Sequence, residues 1–247
     1  MGWVSNRVGG WLAGYLTKQV GVYVEFSVQP PDILRQHLQP GDVLLVEGNE
    51  RISVAIKYLS QSTWSHAALF VGRAMGVDQP DLIEADLENG VVAVPLEKYR
   101  NQNTRICRPV GMSPEDRAHL IDFAVAHIGD TYDLKNVFDL ARYLLPTPPV
   151  PQRWRRHLLS VGSGDPTRAI CSTLIAEAFQ SVGYPVLPRV AQGDASTEHE
   201  KGRTAWTVRH HSLFTPRDFD LSPYFATIKP TIEEGFDYKA FNWSSSI

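Results

Sequence analysis

The sequence predicts an α+β domain, and three observations carry that prediction. Between residues 42 and 110 the chain holds short apolar runs rich in Val, Ile and Leu, each bounded by Gly, Pro or Asn, which is the signature of strands. Beyond residue 112 the apolar spacing becomes helical. The composition, 43% hydrophobic and 10% aromatic over 247 residues, supplies one sizeable core and nothing that reads as globally disordered.

Taken in order, Trp3, Val4, Val8, Trp11, Leu12, Tyr15 and Leu16 recur at helical spacing, interrupted by Gly9, Gly10 and Gly14. This stretch reads as a helix packed on the domain, or as an interfacial helix with its two Trp residues at a membrane. Pro30-Pro31 and Pro40-Gly41 act as punctuation before the main domain. Asp42 to Val46 is a buried strand, and Ile52, Ala55, Ile56 and Leu59 share one helical face. His66 to Val71, Leu82 to Ala85, Gly90 to Val94 and Arg105 to Val110 follow as strands, with Asn89-Gly90 as a hairpin turn.

Ser113, Pro114 and Asp116 form a helix start, followed by a stripe of Leu120, Ile121, Ala124, Val125 and Ile128, and Gly129 ends it. Tyr132 to Leu145 reads as a helix, and four prolines between Pro146 and Pro151 break the chain. Ala169 to Val182 is the next helix, closed by Gly183. Residues 188–212 read as an irregular polar insertion, and the stretch from Thr215 onward mixes aromatics with prolines.

The net charge of −3 lacks the basic footprint of a nucleic-acid binder. Arg153-Trp154-Arg155-Arg156-His157 is the one dense basic cluster, either a solvated surface segment or a contact for anionic headgroups. Two cysteines exclude a disulfide scaffold, and a thiol in a strand (Cys107) and at a helix start (Cys171) suits a reducing compartment. No apolar run approaches the ~20 residues of a membrane span, no secretory pattern is visible at the N-terminus, and Asn6 stands where an N-myristoylation motif wants Ser or Thr. The expectation is a cytoplasmic protein, with peripheral membrane contact through residues 1–20 and 153–157 as its extension.

Three side chains draw chemical interest. Cys171 falls in the first turn of its helix, where the positive end of the macrodipole favours thiolate, the nucleophilic form. By itself such a cysteine is more often a plain core residue. His66 opens a very apolar strand, and by itself is as readily a core histidine as a base. Glu84 interrupts the apolar run Leu82-Ile83-Glu84-Ala85, and an ionisable group there needs a partner if buried; antiparallel pairing can bring it beside His66. Asp86 faces the same side and is its rival.

Gly41-Asp42-Val43-Leu44-Leu45, Ser65-His66-Ala67-Ala68-Leu69-Phe70-Val71-Gly72, Ile83-Glu84-Ala85 with Gly90-Val91-Val92, Gly129-Asp130-Thr131-Tyr132-Asp133, Cys171-Ser172-Thr173-Leu174-Ile175-Ala176-Glu177-Ala178-Phe179 and Thr215-Pro216-Arg217-Asp218-Phe219 occur in that order. The ordered set resembles the circularly permuted NlpC-type papain-like cysteine hydrolases, in particular the YiiX/YebB-like group, over roughly residues 40–225. The histidine strand precedes the cysteine helix, which is the permuted order. The resemblance implies a small antiparallel barrel-like sheet packed against a nucleophile-bearing helix. It implies Cys171 as nucleophile, His66 as base, Glu84 as the orienting residue and Tyr132 at the Gly-x-x-Tyr position near the site. Trp64 and Ser65, next to His66, are further candidates for substrate binding.

The expected organisation is an N-terminal amphipathic extension (1–35), a catalytic domain (36–230) with insertions near 146–165 and 188–212, and a C-terminal tail (231–247). The expected chemistry is amide cleavage through a Cys171 thioester, with no metal and no cofactor. A lipid-directed acyltransferase or acyl hydrolase is the second reading, and a non-catalytic binding module on the same fold is the third. The substrate expected is a small peptide or an acyl lipid.

Overall fold

The computed structural model describes residues 15, 18–19, 28–86, 89–131, 170–191, 205–207, 210 and 213–230. The expected helices at 3–20 and 132–145, the basic cluster at 153–157, Tyr132 and the C-terminal tail lie wholly or mostly outside them.

Strands β1 (Val43–Val46), β2 (His66–Phe70), β3 (Leu82–Asp86), β4 (Gly90–Val94), β5 (Thr104–Pro109) and β8 (Phe225–Ile228) form one sheet in the order β4-β3-β2-β1-β5-β8. Every neighbouring pair is antiparallel. Helices α1 (Pro31–His37), α2 (Arg51–Ser60), α3 (Pro114–Ala126), α4 (Ile170–Ser181) and α5 (Pro216–Leu221) surround it, with a 3-10 turn at Leu96–Tyr99.

The sheet is buried on both faces. One face presents Val43, Leu45, Ala67, Leu69, Ile83, Ala85 and Cys107 to α3 (Leu120, Ile121, Ala124) and α4 (Leu174, Ile175, Ala178, Phe179). The other presents Leu44, Val46, Ala68, Phe70, Leu82 and Ile106 to Leu34 of α1, to Leu38 and to Leu96 and Tyr99 of the 3-10 turn. This double covering is why these strands read as unbroken apolar runs rather than as alternating ones.

Four features depart from the expectation. Pro31 and Pro216 each open a short helix instead of merely ending a segment, because a proline at the first helical position gives up an N–H that has no intrahelical partner. At α5 the Asp218 carboxylate accepts from the Thr215 N–H (2.6 Å) and hydroxyl (3.0 Å), closing the helix start. Inside the polar insertion, β6 (Arg189–Ala191) pairs antiparallel with β7 (Ala205–Thr207). At α3 the Ser113 side chain accepts from Asp116 N (3.0 Å) as expected, but the helix ends at Ala126, which leaves Ile128 38% exposed and outside the stripe.

The free edge of β4 is met by the segment after α3. Val91 N donates to the Asp130 carbonyl and Gly129 N to the Val91 carbonyl, each at 2.9 Å. Gly90 makes this approach possible: its φ is +73°, and a Cβ there would lie 2.1 Å from the Asp130 carbonyl oxygen. Gly90→Ala should therefore cost about 2 kcal/mol or more. Denaturant melts measure the loss, and amide exchange at Val91 and Gly129 should speed up beyond the global effect.

Candidate active site

His66 is the first residue of β2, opposite Val46 of β1. Its setting is fixed from several sides. Ser65 N donates to the Val46 carbonyl (3.1 Å), and the Ser65 hydroxyl accepts from Gly48 N (2.8 Å). Trp64 Nε1 donates to Asp220 of α5 (3.2 Å); Arg105 of β5 donates to the same carboxylate (2.6 Å) and lies 4.9 Å over the Trp64 ring. Trp64 and Ser65 are 3% and 1% exposed. Through these contacts both side chains hold the start of β2.

Glu84 belongs to β3 and shares a face with Leu82, as His66 does with Ala68 and Phe70. Its Oε2 lies 3.0 Å from His66 Nε2. The β2–β3 ladder pairs Leu69 with Ile83 and Phe70 with Leu82, so Glu84 reaches His66 diagonally across the two strands. Asp86, the rival, accepts from the Asn89 backbone N–H (2.6 Å) and side-chain amide (3.1 Å) and so serves the β3–β4 turn.

Glu84 is fully buried and has two further partners that sequence reasoning missed. The Tyr99 hydroxyl donates to Oε2 and the Lys98 ammonium to Oε1. Both come from the 3-10 turn, which is fastened where Leu96 N donates to Asp81 Oδ1 (3.0 Å). Burial alone would push the Glu84 carboxyl up, but the charges and hydrogen bonds of His66 and Lys98 outweigh it and hold it at about 2. A carboxyl depressed in the folded state stabilises the fold above its unfolded value, and that contribution fades as pH falls toward about 2. In acid titrations, Glu84→Gln should accordingly unfold with a flatter pH dependence below about pH 4.5 than the unmodified protein.

Cys171 is the second residue of α4 as described; its side chain lies outside the described residues. Helix α4 packs against β2 and β3, the strands of His66 and Glu84. Its first turn is anchored by the neighbouring Ser172, buried, whose hydroxyl donates to the Phe214 carbonyl (2.7 Å). The α4 contacts lie on the sheet face opposite to the one His66 shares. The other thiol, Cys107, is buried in β5, and that burial pushes it well above the ordinary thiol range, which makes it unreactive. Among the described residues no three His, Cys, Asp or Glu side chains gather to hold a metal ion, and no helix is long and apolar enough to cross a membrane.

Residues 37–143 match the family described as "Permuted papain-like amidase enzyme, YaeF/YiiX, C92 family". The match takes in less than half of the chain. It contains β1 to β5 and α3, and with them the His66–Glu84 pair. The chain is also 25% identical over 180 residues to the "Probable lipoprotein peptidase YaeF" of Escherichia coli (strain K12), an alignment that covers 66% of this chain and 62% of that protein. The chain thus matches less than two thirds of that relative's length. Among solved structures, the crystal structure of metalloprotein yiiX from Escherichia coli O157:H7 is similar at a TM-score of 0.47 and 19% identity, covering 77% of this chain and 96% of that one.

Proposed function

We propose that the chain is a cysteine hydrolase that cleaves a peptide-type amide through a thioester on Cys171, with His66 as general base and Glu84 as the group that orients it. The observation that carries this reading is the 3.0 Å contact of His66 with a buried, ionised Glu84, on strands that pack against the Cys171 helix. A base needs a fixed ring and a partner for its second nitrogen, and Glu84 supplies both. The match of residues 37–143 to an amidase family, and a relative called a lipoprotein peptidase, favour an amide over an ester.

In the proposed reaction His66 takes the Cys171 proton and the thiolate attacks the amide carbonyl carbon. Backbone N–H groups at the start of α4 stabilise the oxyanion. The C–N bond breaks as His66 returns its proton to the departing amine, leaving a thioester. Water then gives a proton to His66 and attacks the thioester, releasing the carboxylic acid and restoring the thiol. Because α4 and His66 lie on opposite faces of β2, the first turn of α4 must meet His66 around the strand end, where His66 stands as the first residue of β2.

The test is acid-quench mass spectrometry of the protein with two substrate sets, short peptides and acyl lipids in vesicles. The expected result is an acyl adduct on the Cys171 peptide with the first set, absent in Cys171→Ser. An adduct formed only from the vesicles would replace the amide with a lipid ester, and no adduct from either would remove the hydrolase reading.

A further inference from the structure

We propose that Lys98 is a positioning residue that sets the protonation of His66 through the carboxylate the two share. The inference rests on the reading of His66 as the general base and adds a residue to it.

Glu84 is shared among three donors on its two oxygens. Its Oε2 takes His66 Nε2 and the Tyr99 hydroxyl, and its Oε1 takes the Lys98 ammonium. A histidine facing an undivided buried carboxylate is drawn toward imidazolium, because the pair then carries no net charge in a place from which water is excluded. An imidazolium that is too stable is a poor base. Lys98 neutralises Glu84 from the other side, so His66 can lose its proton without leaving a bare buried anion behind.

The arrangement suits such a role. Glu84 is fully enclosed while the Lys98 side chain is 40% exposed, so the ammonium reaches the carboxylate from the solvent side and keeps part of its hydration. Lys98 also lies 5.6 Å from the centre of the Tyr99 ring, whose own centre is 6.0 Å from the His66 ring. The remaining charged groups on the neighbouring elements are Asp86, on the same side of β3 as Glu84 and held by Asn89, and Glu47 after β1, which is paired with Lys57 (2.9 Å). None of these changes when Lys98 is replaced, and the Cys171 thiol is removed in the test.

The sign follows from the charges. Glu84 favours imidazolium and Lys98 opposes it, so removing Lys98 leaves the attraction unopposed and the His66 midpoint moves up. The experiment is an NMR titration of the imidazole resonances in full-length Cys171→Ala protein, with His66 assigned from His66→Gln, over about pH 4 to 9. Lys98→Met should raise the His66 midpoint by about one pH unit, while Lys98→Arg, which keeps the charge, should leave it within a few tenths. An unchanged midpoint in Lys98→Met, an equal rise in Lys98→Arg, or no titration of His66 in any of them overturns the proposal. The readout needs no turnover, so its failure leaves the hydrolase reading in place, and the absence of an acyl adduct on Cys171 leaves this reading in place.

Discussion

Replacing Glu84 by Gln is expected to slow thioester formation at Cys171 by roughly a hundredfold or more. The carboxylate accepts from three donors, His66, Tyr99 and Lys98. An amide has one acceptor oxygen, and its NH2 group must face a donor on one side or the other. The charge that stabilises the imidazolium is lost as well. Glu84 is fully buried and touches no substrate, so the loss should fall on kcat with KM nearly unchanged. Single-turnover acylation separates the two. A proportional rise in KM, or an unchanged rate, would show that Glu84 does not act through His66.

Arg108→Met should destabilise the fold by about 3–5 kcal/mol at neutral pH. Asp42, at the start of β1, is 1% exposed and accepts from Arg108 Nε (3.0 Å) and Nη2 (2.8 Å), and from Gln39 N (2.8 Å). Arg108 also reaches the His37 carbonyl, so it ties β5 to both ends of the turn between α1 and β1. Burial already pushes the Asp42 carboxyl above its ordinary value against the pull of Arg108. Without the guanidinium it rises further. A carboxyl raised in the folded state destabilises as pH climbs from its unfolded value through its folded value, so the penalty should shrink as pH is lowered toward the ordinary carboxyl value of 3.8. Denaturant midpoints at several pH values measure this, and Arg108→Met with Asp42→Asn should recover part of the loss. A penalty independent of pH would contradict the account.

Much of the sheet was legible because β1 to β5 are covered on both faces and flanked by turn residues. Each reads as a short apolar run with clear ends. His66 and Glu84 were legible for the opposite reason: each is ionisable in a run that is otherwise apolar, so each demands a partner. The cysteine helix was legible from its own apolar spacing, and the ordered motifs added, by resemblance, the part expected of Cys171. What was not legible depends on where distant segments fold. Lys98 and Tyr99 are ordinary residues of a short polar stretch, and only the closing of the 3-10 turn over β3 brings them to Glu84. Trp64 and Ser65 lie beside the site in sequence yet are turned into its frame by Asp220 and Gly48, and nothing local announces either partner. The helices at Pro31 and Pro216 were hidden because a proline marks a break and a helix start alike; the Thr215–Asp218 spacing was the available signal for the second. Strand β8 is short, follows a proline and gains its meaning only from pairing with β5.

The most direct test of the central claim is the pH dependence of Cys171 alkylation by iodoacetamide, located by peptide mass in the unmodified protein and in His66→Ala. Cys107, enclosed in β5, should remain unmodified in both and serves as the internal control. The account predicts that Cys171 reacts with an apparent pKa well below the ~8.5 of a free thiol, and that His66→Ala removes this advantage. Reaction as an ordinary thiol in both proteins, or inertness in both, would contradict a Cys171–His66 pair and with it the proposed chemistry.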